Sequence, residues 1–367
     1  MNLSLRRQRG EAPPAGALRL RAASPAPFEI TASEEAGFER EDTASALERE
    51  QQLARRRRLL ARLQGYALVV VLGIVVVIMW LSSPYFLTSG NLITALFGVS
   101  ILGIMAVLET LVVIAGEIDI SIAGVVAFSS VLIGILVADS WNVWLATAVA
   151  LAVSGGVGLL NGVATVYLKI NSLVTTLATY SIFTGMAYTI SGTATLSVGG
   201  SGFWELGSGR PLSIPAPVYF FVGIWVVVAL VTRFTALGRH VYATGDNYDA
   251  AVRSGIRADR LRVGLFVTVA LSAGVAGVIT TSELYSGSPQ VGDPYLLSVI
   301  TAVILGGASL RGGRGTMLGT LVAVLILGVL INGFALLQFS SFAADIVLGI
   351  LLLVAVLSDN LLRKAAQ

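Results

Sequence analysis

The chain has no cysteine and a single histidine, His240. The first absence excludes disulfides, thiolate metal sites and a cysteine nucleophile. The second excludes a multi-histidine metal centre and leaves a Ser-His-Asp triad only through that one imidazole. Charge is scarce as well, at 12% of 367 residues against about 25% in soluble domains. It is also unevenly placed: residues 1–64 hold 12 Arg and nine Asp or Glu, close to half of the 45 charged residues. Lysine occurs only as Lys169 and Lys364, and neither follows a GxxxxGK[ST] loop, so a Walker-type nucleotide site is excluded from this chain.

Apolar sequence is what the chain has in abundance, with 55% hydrophobic residues and a mean hydropathy of +0.84. Between Arg62 and Glu109, 46 residues pass without a charge, interrupted at Ser82-Ser83-Pro84 and Ser89-Gly90-Asn91. A helix needs about 20 apolar residues to cross about 30 Å of hydrocarbon, where unsatisfied backbone groups are too costly. The pattern therefore predicts an all-α polytopic membrane protein with about ten transmembrane helices. They fall near 66–83, 92–114, 120–138, 143–167, 173–191, 217–232, 263–282, 296–307, 316–337 and 342–358. The eighth is too short to cross alone and is expected to be a half-helix or re-entrant piece beside Gly306-Gly307. The Arg55 to Arg58 run and Arg62 place the amino terminus inside by the positive-inside bias. With ten spans, the six-Arg loop Arg233 to Arg262, Arg311, Arg314 and the Arg363-Lys364 end also fall inside.

Two regions follow: a cytoplasmic tail over 1–64 and a transmembrane domain over 65–362. The tail reads as disordered over 1–43, after which Ser45 and Glu48 form a capping box that opens an amphipathic helix. No cleavable signal is expected, because the first long apolar run begins after residue 64. Residues 192–216 form the longest outer loop, either a connector or a docking surface, with Phe203 and Trp204 at the membrane interface. Leu160–Ala164 and Ile331–Ala335 share an Asn-Gly pair in helices expected to run in opposite directions, which suits an inverted repeat.

In the inner loop 233–262, Asp246 or Asn247 can cap a short helix and Gly255 can end it in a left-handed conformation. That helix is expected to expose Ala250, Ala251 and Ser254, and the loop carries two glycine breaks. A slim face of this kind suits a groove on another protein.

GRHVYATGDNYDAAVRSGI at 238–256 resembles the coupling loop of permease subunits of bacterial ABC importers of the ribose, xylose and autoinducer-2 class. Gly238, Arg239, Gly245, Asn247, Ala250, Ala251, Ser254 and Gly255 stand at pattern positions. GEIDIS at 116–121 is similar to the family's Gly-Gly-Ile-Asp-Leu-Ser element, with Glu117 in place of a glycine. LVTTLATYSIFTG at 173–185 and ILGGASLRGGRGTMLGTLVAVLILGVLINGF at 304–334 are similar to two further signature stretches. The resemblance spans about residues 66–359. It implies a transporter subunit rather than an enzyme, with a sugar or sugar-like solute moved inward by alternating access. It further implies a second permease copy or paralogue, cytosolic ABC ATPase subunits holding ATP and Mg, and an extracytoplasmic solute-binding protein. The implied setting is the bacterial inner membrane, with no cofactor or metal in this chain and no nucleic-acid partner. The alternatives are a branched-chain amino-acid-type ABC permease and an ion-coupled secondary transporter. The latter needs buried ionisable groups near the midplane, which the central spans scarcely offer. A membrane-bound enzyme lacks a convergent acid–base pair.

For the solute pathway the expected residues are Glu109, Asp119, Ser121, Asn161, Thr175, Thr176, Thr179, Tyr180 and Asn332. For the hydroxyl residues the favoured use is helix packing, through hydrogen bonds of about 0.6 kcal/mol, with the pathway role as the alternative. Glu109 is singled out as an ionisable group within a span. Asp119 is expected to cap the third helix or order the Gly116 turn. Arg311 and Arg314 read as topology anchors and His240 as exposed.

Overall fold

The computed structural model describes residues 67–364. The tail, with its expected disorder, the Ser45–Glu48 capping box and the Arg55 to Arg58 anchor, lies outside the described residues. The described chain runs through α1 (Ala67–Ser82), α2 (Ser89–Ile114), α3 (Ile122–Ala138), α4 (Val143–Val166) and α5 (Ser172–Ser191). A short outer helix, α6 (Glu205–Ser208), precedes α7 (Ala216–Phe234), and two helices of the inner loop follow, α8 (Ala236–Asp246) and α9 (Tyr248–Arg253). The last four are α10 (Ala258–Leu284), α11 (Tyr295–Leu305), α12 (Met317–Leu336) and α13 (Ser341–Lys364).

Each expected span is thus a helix, and six are long and apolar enough to cross a membrane. Helices α1, α3, α11 and α13 carry shorter apolar segments. With 11 residues, α11 reaches only about 16 Å at the usual helical rise. It follows a 3-10 turn at Pro289–Gly292 and ends at Gly306 and the left-handed Gly307, as the short eighth segment requires. Helix α3 is fed by the non-helical stretch 117–120, and most of its residues are buried. Irregular backbone at membrane depth stands only where protein covers it.

Local chemistry starts several of these helices. The side chains of Thr88, Asn142, Asn171 and Thr316 each accept a first-turn amide, supplying α2, α4, α5 and α12 with an N-cap. Packing then follows glycine. A Cβ at Gly158 of α4 would stand 2.7 Å from the Val267 Cα, and one at Gly162 would stand 2.9 Å from the Val263 Cα, so α4 and α10 touch backbone to backbone. Gly274 of α10 answers against Ser154 of α4, and Gly277 against Ser129 of α3. Lipid tails are as apolar as leucine, so helices in a bilayer associate through such close contact rather than through the hydrophobic effect.

At the outer end, β1 (Leu196–Ser197) pairs antiparallel with β2 (Ser286–Gly287) and folds the 192–216 loop onto α10. Phe203 is only 2% exposed. It packs edge-on to Trp144 at 6.1 Å, and its carbonyl accepts the Ser282 hydroxyl at 2.6 Å. It is therefore an internal anchor rather than an interface residue, whereas Trp204 remains exposed.

The inner loop holds two helices where the sequence pattern predicts one. Gly238 and Gly245 do not break the chain but lie inside α8, because each is pressed against backbone: Gly238 against Thr232 and Gly245 against Ile114. Asn247 rather than Asp246 caps α9, accepting the Ala250 amide at 2.9 Å, and Gly255 follows in the left-handed region. Ala251 is buried and Ala250 half-buried, so the exposed residues of α9 are Asp249, Val252 and Arg253, with the exposed Ser254 just past its end.

Filling the α4–α10 seam should unfold it. Gly158→Leu is expected to lower stability by about 1–3 kcal/mol, read as a fall in thermal midpoint in detergent. Gly156→Leu on the open side of the same helix, where nothing lies within 4 Å of an added Cβ, should leave the midpoint unchanged.

Candidate solute pathway and coupling surface

The turn between α2 and α3 opens with Gly116 in the left-handed region, and the next residues tie several helices together. The Asp119 amide donates to Glu109 Oε1 of α2 at 3.0 Å. Asp119 Oδ1 accepts both the Ser121 amide at 2.8 Å and the Ser121 hydroxyl at 2.5 Å, so Asp119 orders the turn. Asn161 of α4 donates from Nδ2 to Ser121 Oγ at 2.9 Å, and the Thr179 hydroxyl of α5 donates to Asn161 Oδ1 at 2.7 Å. Five of the nine expected pathway residues therefore form one hydrogen-bonded chain across four elements. Glu109 and Asp119 are both 0% exposed, and each keeps one carboxyl oxygen, Oε2 and Oδ2, without a partner. A buried acceptor left unmatched costs about 1–3 kcal/mol.

Helix α5 extends this polarity along its length. Thr176 bonds the carbonyls of Ser172 and Ile118, and the Ile118 amide reaches Ser172 Oγ at 3.4 Å. From Ser172 a hydroxyl recurs every fourth residue, at Thr176, Tyr180, Thr184 and Tyr188; successive members are neighbours, and the row slants around the helix by about 40° per step. At the far end the Tyr188 hydroxyl donates to Asp293 Oδ2 at 3.3 Å. Thr184, Tyr188 and Asp293 are absent from the sequence-based set, although the fourfold spacing of hydroxyls was the signal for the first two. Thr175 is buried with its hydroxyl unmatched, and Tyr180 is half-buried.

Asn332 is not brought to this group. Its side-chain amide exchanges two hydrogen bonds of 2.9 Å with that of Asn91, at the start of α2. Asn91 precedes Glu109 by 18 residues, or about 27 Å of helix. The pair fastens α12 to α2 at the opposite end from the acids.

On the inner face, Gly245 of α8 meets the Ile114 carbonyl and the Gly313 amide with no room for a side chain. The same Gly313 amide donates to Ile114 O at 2.8 Å. Gly312 and Gly313 are both left-handed, and a Cβ at Gly312 would lie 2.7 Å from Gly245 O and 2.9 Å from Gly116 Cα. The Tyr242 hydroxyl donates to Gly315 O at 2.9 Å. Arg239, Asn247, Ser254, Gly255 and His240 are exposed, as are Arg311 and Arg314. Arg262 at the start of α10 pairs with Glu117 at 3.2 Å and lies over the Tyr248 ring at 4.6 Å. The Tyr248 hydroxyl donates to Asp259 at 2.5 Å. That carboxylate, together with partial burial, holds the hydroxyl above its ordinary pKa, so it keeps its proton. Tyr242, Tyr248, Asp259, Arg262 and Glu117 carry contacts that the loop motif alone does not announce.

The family model described as "Branched-chain amino acid transport system / permease component" matches residues 91–356. The L-arabinose ABC transporter permease protein AraH of Azospirillum brasilense is 36% identical over 67% of this chain and 73% of its own length. The ribose import permease protein RbsC of Bacillus subtilis is 38% identical over 66% of this chain and 76% of its own. RbsC of Escherichia coli is 34% identical over 68% and 77%. No solved structure matches the chain. With the family model covering well over half of its length, the chain belongs to this family of transport-system permease components, and it is a multi-pass membrane transporter subunit rather than an enzyme.

Proposed function

We propose that the chain is the membrane permease of an ATP-driven importer that moves a sugar or sugar-like solute inward by alternating access. The observation that carries this reading is the hydroxyl stripe of α5, joined at its inner end to the buried Glu109–Asp119–Ser121–Asn161–Thr179 chain. Hydroxyls, amides and carboxylates donate and accept in the way sugar hydroxyls require. The branched-chain amino-acid alternative calls for an apolar side-chain pocket, which this row of polar groups does not supply. The names of the arabinose and ribose relatives support the same choice.

Helix α5 is also the least apolar of the six long spans, at a hydropathy of 1.2, yet only 17% of it is buried within this chain. Its uncovered side carries Leu173, Val174, Leu177, Ile182, Met186 and Ile190, an apolar face against which a second permease copy or paralogue packs. Nucleotide and Mg belong to cytosolic ATPase partners, since neither lysine of this chain follows a phosphate loop. The α8–α9 surface is where those partners press, through the exposed Arg239, Asn247, Ser254 and Gly255; Gly238, Gly245 and Ala251 pack behind it and carry the movement inward, with Ala250 half-buried between. An extracytoplasmic binding protein delivers the solute. Arginine placement puts both termini and this surface on the cytoplasmic side of a bacterial inner membrane.

A second reading, an ion-driven carrier, is favoured by one observation, the fully buried Glu109 and Asp119. Proteoliposomes separate the two. With ATPase and binding protein present, pentose uptake should require ATP; uptake driven by a proton or sodium gradient without the ATPase would establish the carrier instead. In the complete complex, Thr179→Val and Tyr188→Phe should each reduce uptake about tenfold, equivalent to about 1.4 kcal/mol, at unchanged ATPase rate. Gly245→Leu should part α8 from Ile114, leaving ATP hydrolysis running while uptake falls to background in the same vesicles.

A further inference from the structure

Glu117 and Arg262 form the one salt bridge found among the described residues, and both are largely buried, at 11% and 20% side-chain exposure. They line a small recess with Val112, Ala115, Leu265 and Phe266, where α2 meets α10. Arg262 Nε is buried without a partner and the guanidinium is stacked on Tyr248, the first residue of α9. A desolvated pair of this kind has few competing partners, so its geometry is well defined.

What Glu117 is attached to matters more than the pair itself. The next residue, Ile118, donates its amide to Ser172 Oγ at 3.4 Å, and its carbonyl is the second, 3.4 Å acceptor of the Thr176 hydroxyl, both in the first turns of α5. The residue after that, Asp119, is bonded through its amide to Glu109 of α2. Three consecutive residues therefore hold α10 with the inner loop, α5 and α2. A peptide segment cannot stretch, so a displacement of α9 and α10 that carries Arg262 must also displace the inner end of the α5 hydroxyl stripe.

Building on the transport reading above, we propose that the Glu117–Arg262 pair is the latch by which movement of the α8–α9 surface repositions the inner end of α5. Both are positioning residues; neither touches solute. The coupling of two sites amounts to a free energy carried by groups that both sites displace, and here those groups are contiguous in space.

The test compares E117Q, R262Q and the charge swap E117R/R262E in the reconstituted complex of permease, ATPase and binding protein. Each single variant should lower solute moved per ATP hydrolysed about tenfold, within the usual range of coupling effects, while the ATPase rate holds; the melting temperature falls in each, because one charge is left buried and unpaired, and rises again in the swap. The swap should recover at least half of the loss. A second arm needs no partner: the chain lacks cysteine, so L173C, at an exposed residue beside Ser172, reports the first turn of α5 alone. Its maleimide labelling rate in detergent should rise about threefold in R262Q, as expected for local loosening, and return to the parent value in the swap. An unchanged transport ratio, an unchanged labelling rate, or a loss that the swap does not recover would each overturn the latch. If the parent complex shows no ATP-dependent uptake, the transport reading fails instead, and the labelling arm still decides the latch.

Discussion

Gly245 stands against the carbonyl oxygen of Ile114 with no space between them for a methyl group, and the inner half of the molecule is arranged around that contact. A helix lying outside the membrane can move a membrane helix only through something stiff, and a layer of flexible side chains is not stiff. Removing side chains lets two backbones meet. Gly116, Gly312 and Gly313 complete the junction, each in a left-handed conformation that a side chain would strain. The amide of Gly313 then closes onto Ile114, so the end of α2, the end of α8 and the turn before α12 share one small volume. The turn that bears Glu117 and Asp119 begins two residues beyond that point.

Within the bilayer the same economy of side chains governs packing, and polarity is spent elsewhere. Gly158, Gly162, Gly274 and Gly277 bring α4, α10 and α3 into close contact, which supplies the dispersion energy that lipid cannot. Polar side chains form a connected chain from Glu109 to Thr179 and a row on α5, beside smaller pairs such as Thr110 with Thr320 and Ser130 with Thr281. The chain is incompletely satisfied, with Glu109 Oε2 and Asp119 Oδ2 left bare inside. Local rules of stability disfavour that arrangement, and proteins retain such violations at sites of function. Asn332 and Asn91 show the contrast: two amides that satisfy each other and fasten α12 to α2.

How far the sequence could be read depends on the range of the forces involved. The apolar helices, six of them long enough to cross a membrane among the described residues, were legible because hydrocarbon demands internal hydrogen bonding from any segment that enters it, and 20 apolar residues announce such a segment. Asn247 as a cap and Gly255 as a left-handed terminator were legible because both act on their own neighbours. Helix α8 was not, since glycine disfavours helices in isolation and its two glycines serve contacts with Thr232 and Ile114. Phe203 was misplaced for the same reason: an aromatic residue beside a span suggests the interface, while its burial depends on Trp144 and Ser282 from distant segments.

By itself the amino-acid order determined that this protein lives in a membrane, where its apolar segments lie and which loops carry the arginines, and it excluded a Walker-type nucleotide site from this chain. Those properties follow from composition and from interactions within a few residues. Only the tertiary structure decided that Asn161 joins the acids while Asn332, in the same Asn-Gly setting, does not. It alone brought Arg262 to Glu117 and gathered residues 117 to 119 into a tie between α10, α5 and α2. Partners 40 to 241 residues apart, as most of these are, leave no local trace, because what selects them is the packing of whole helices.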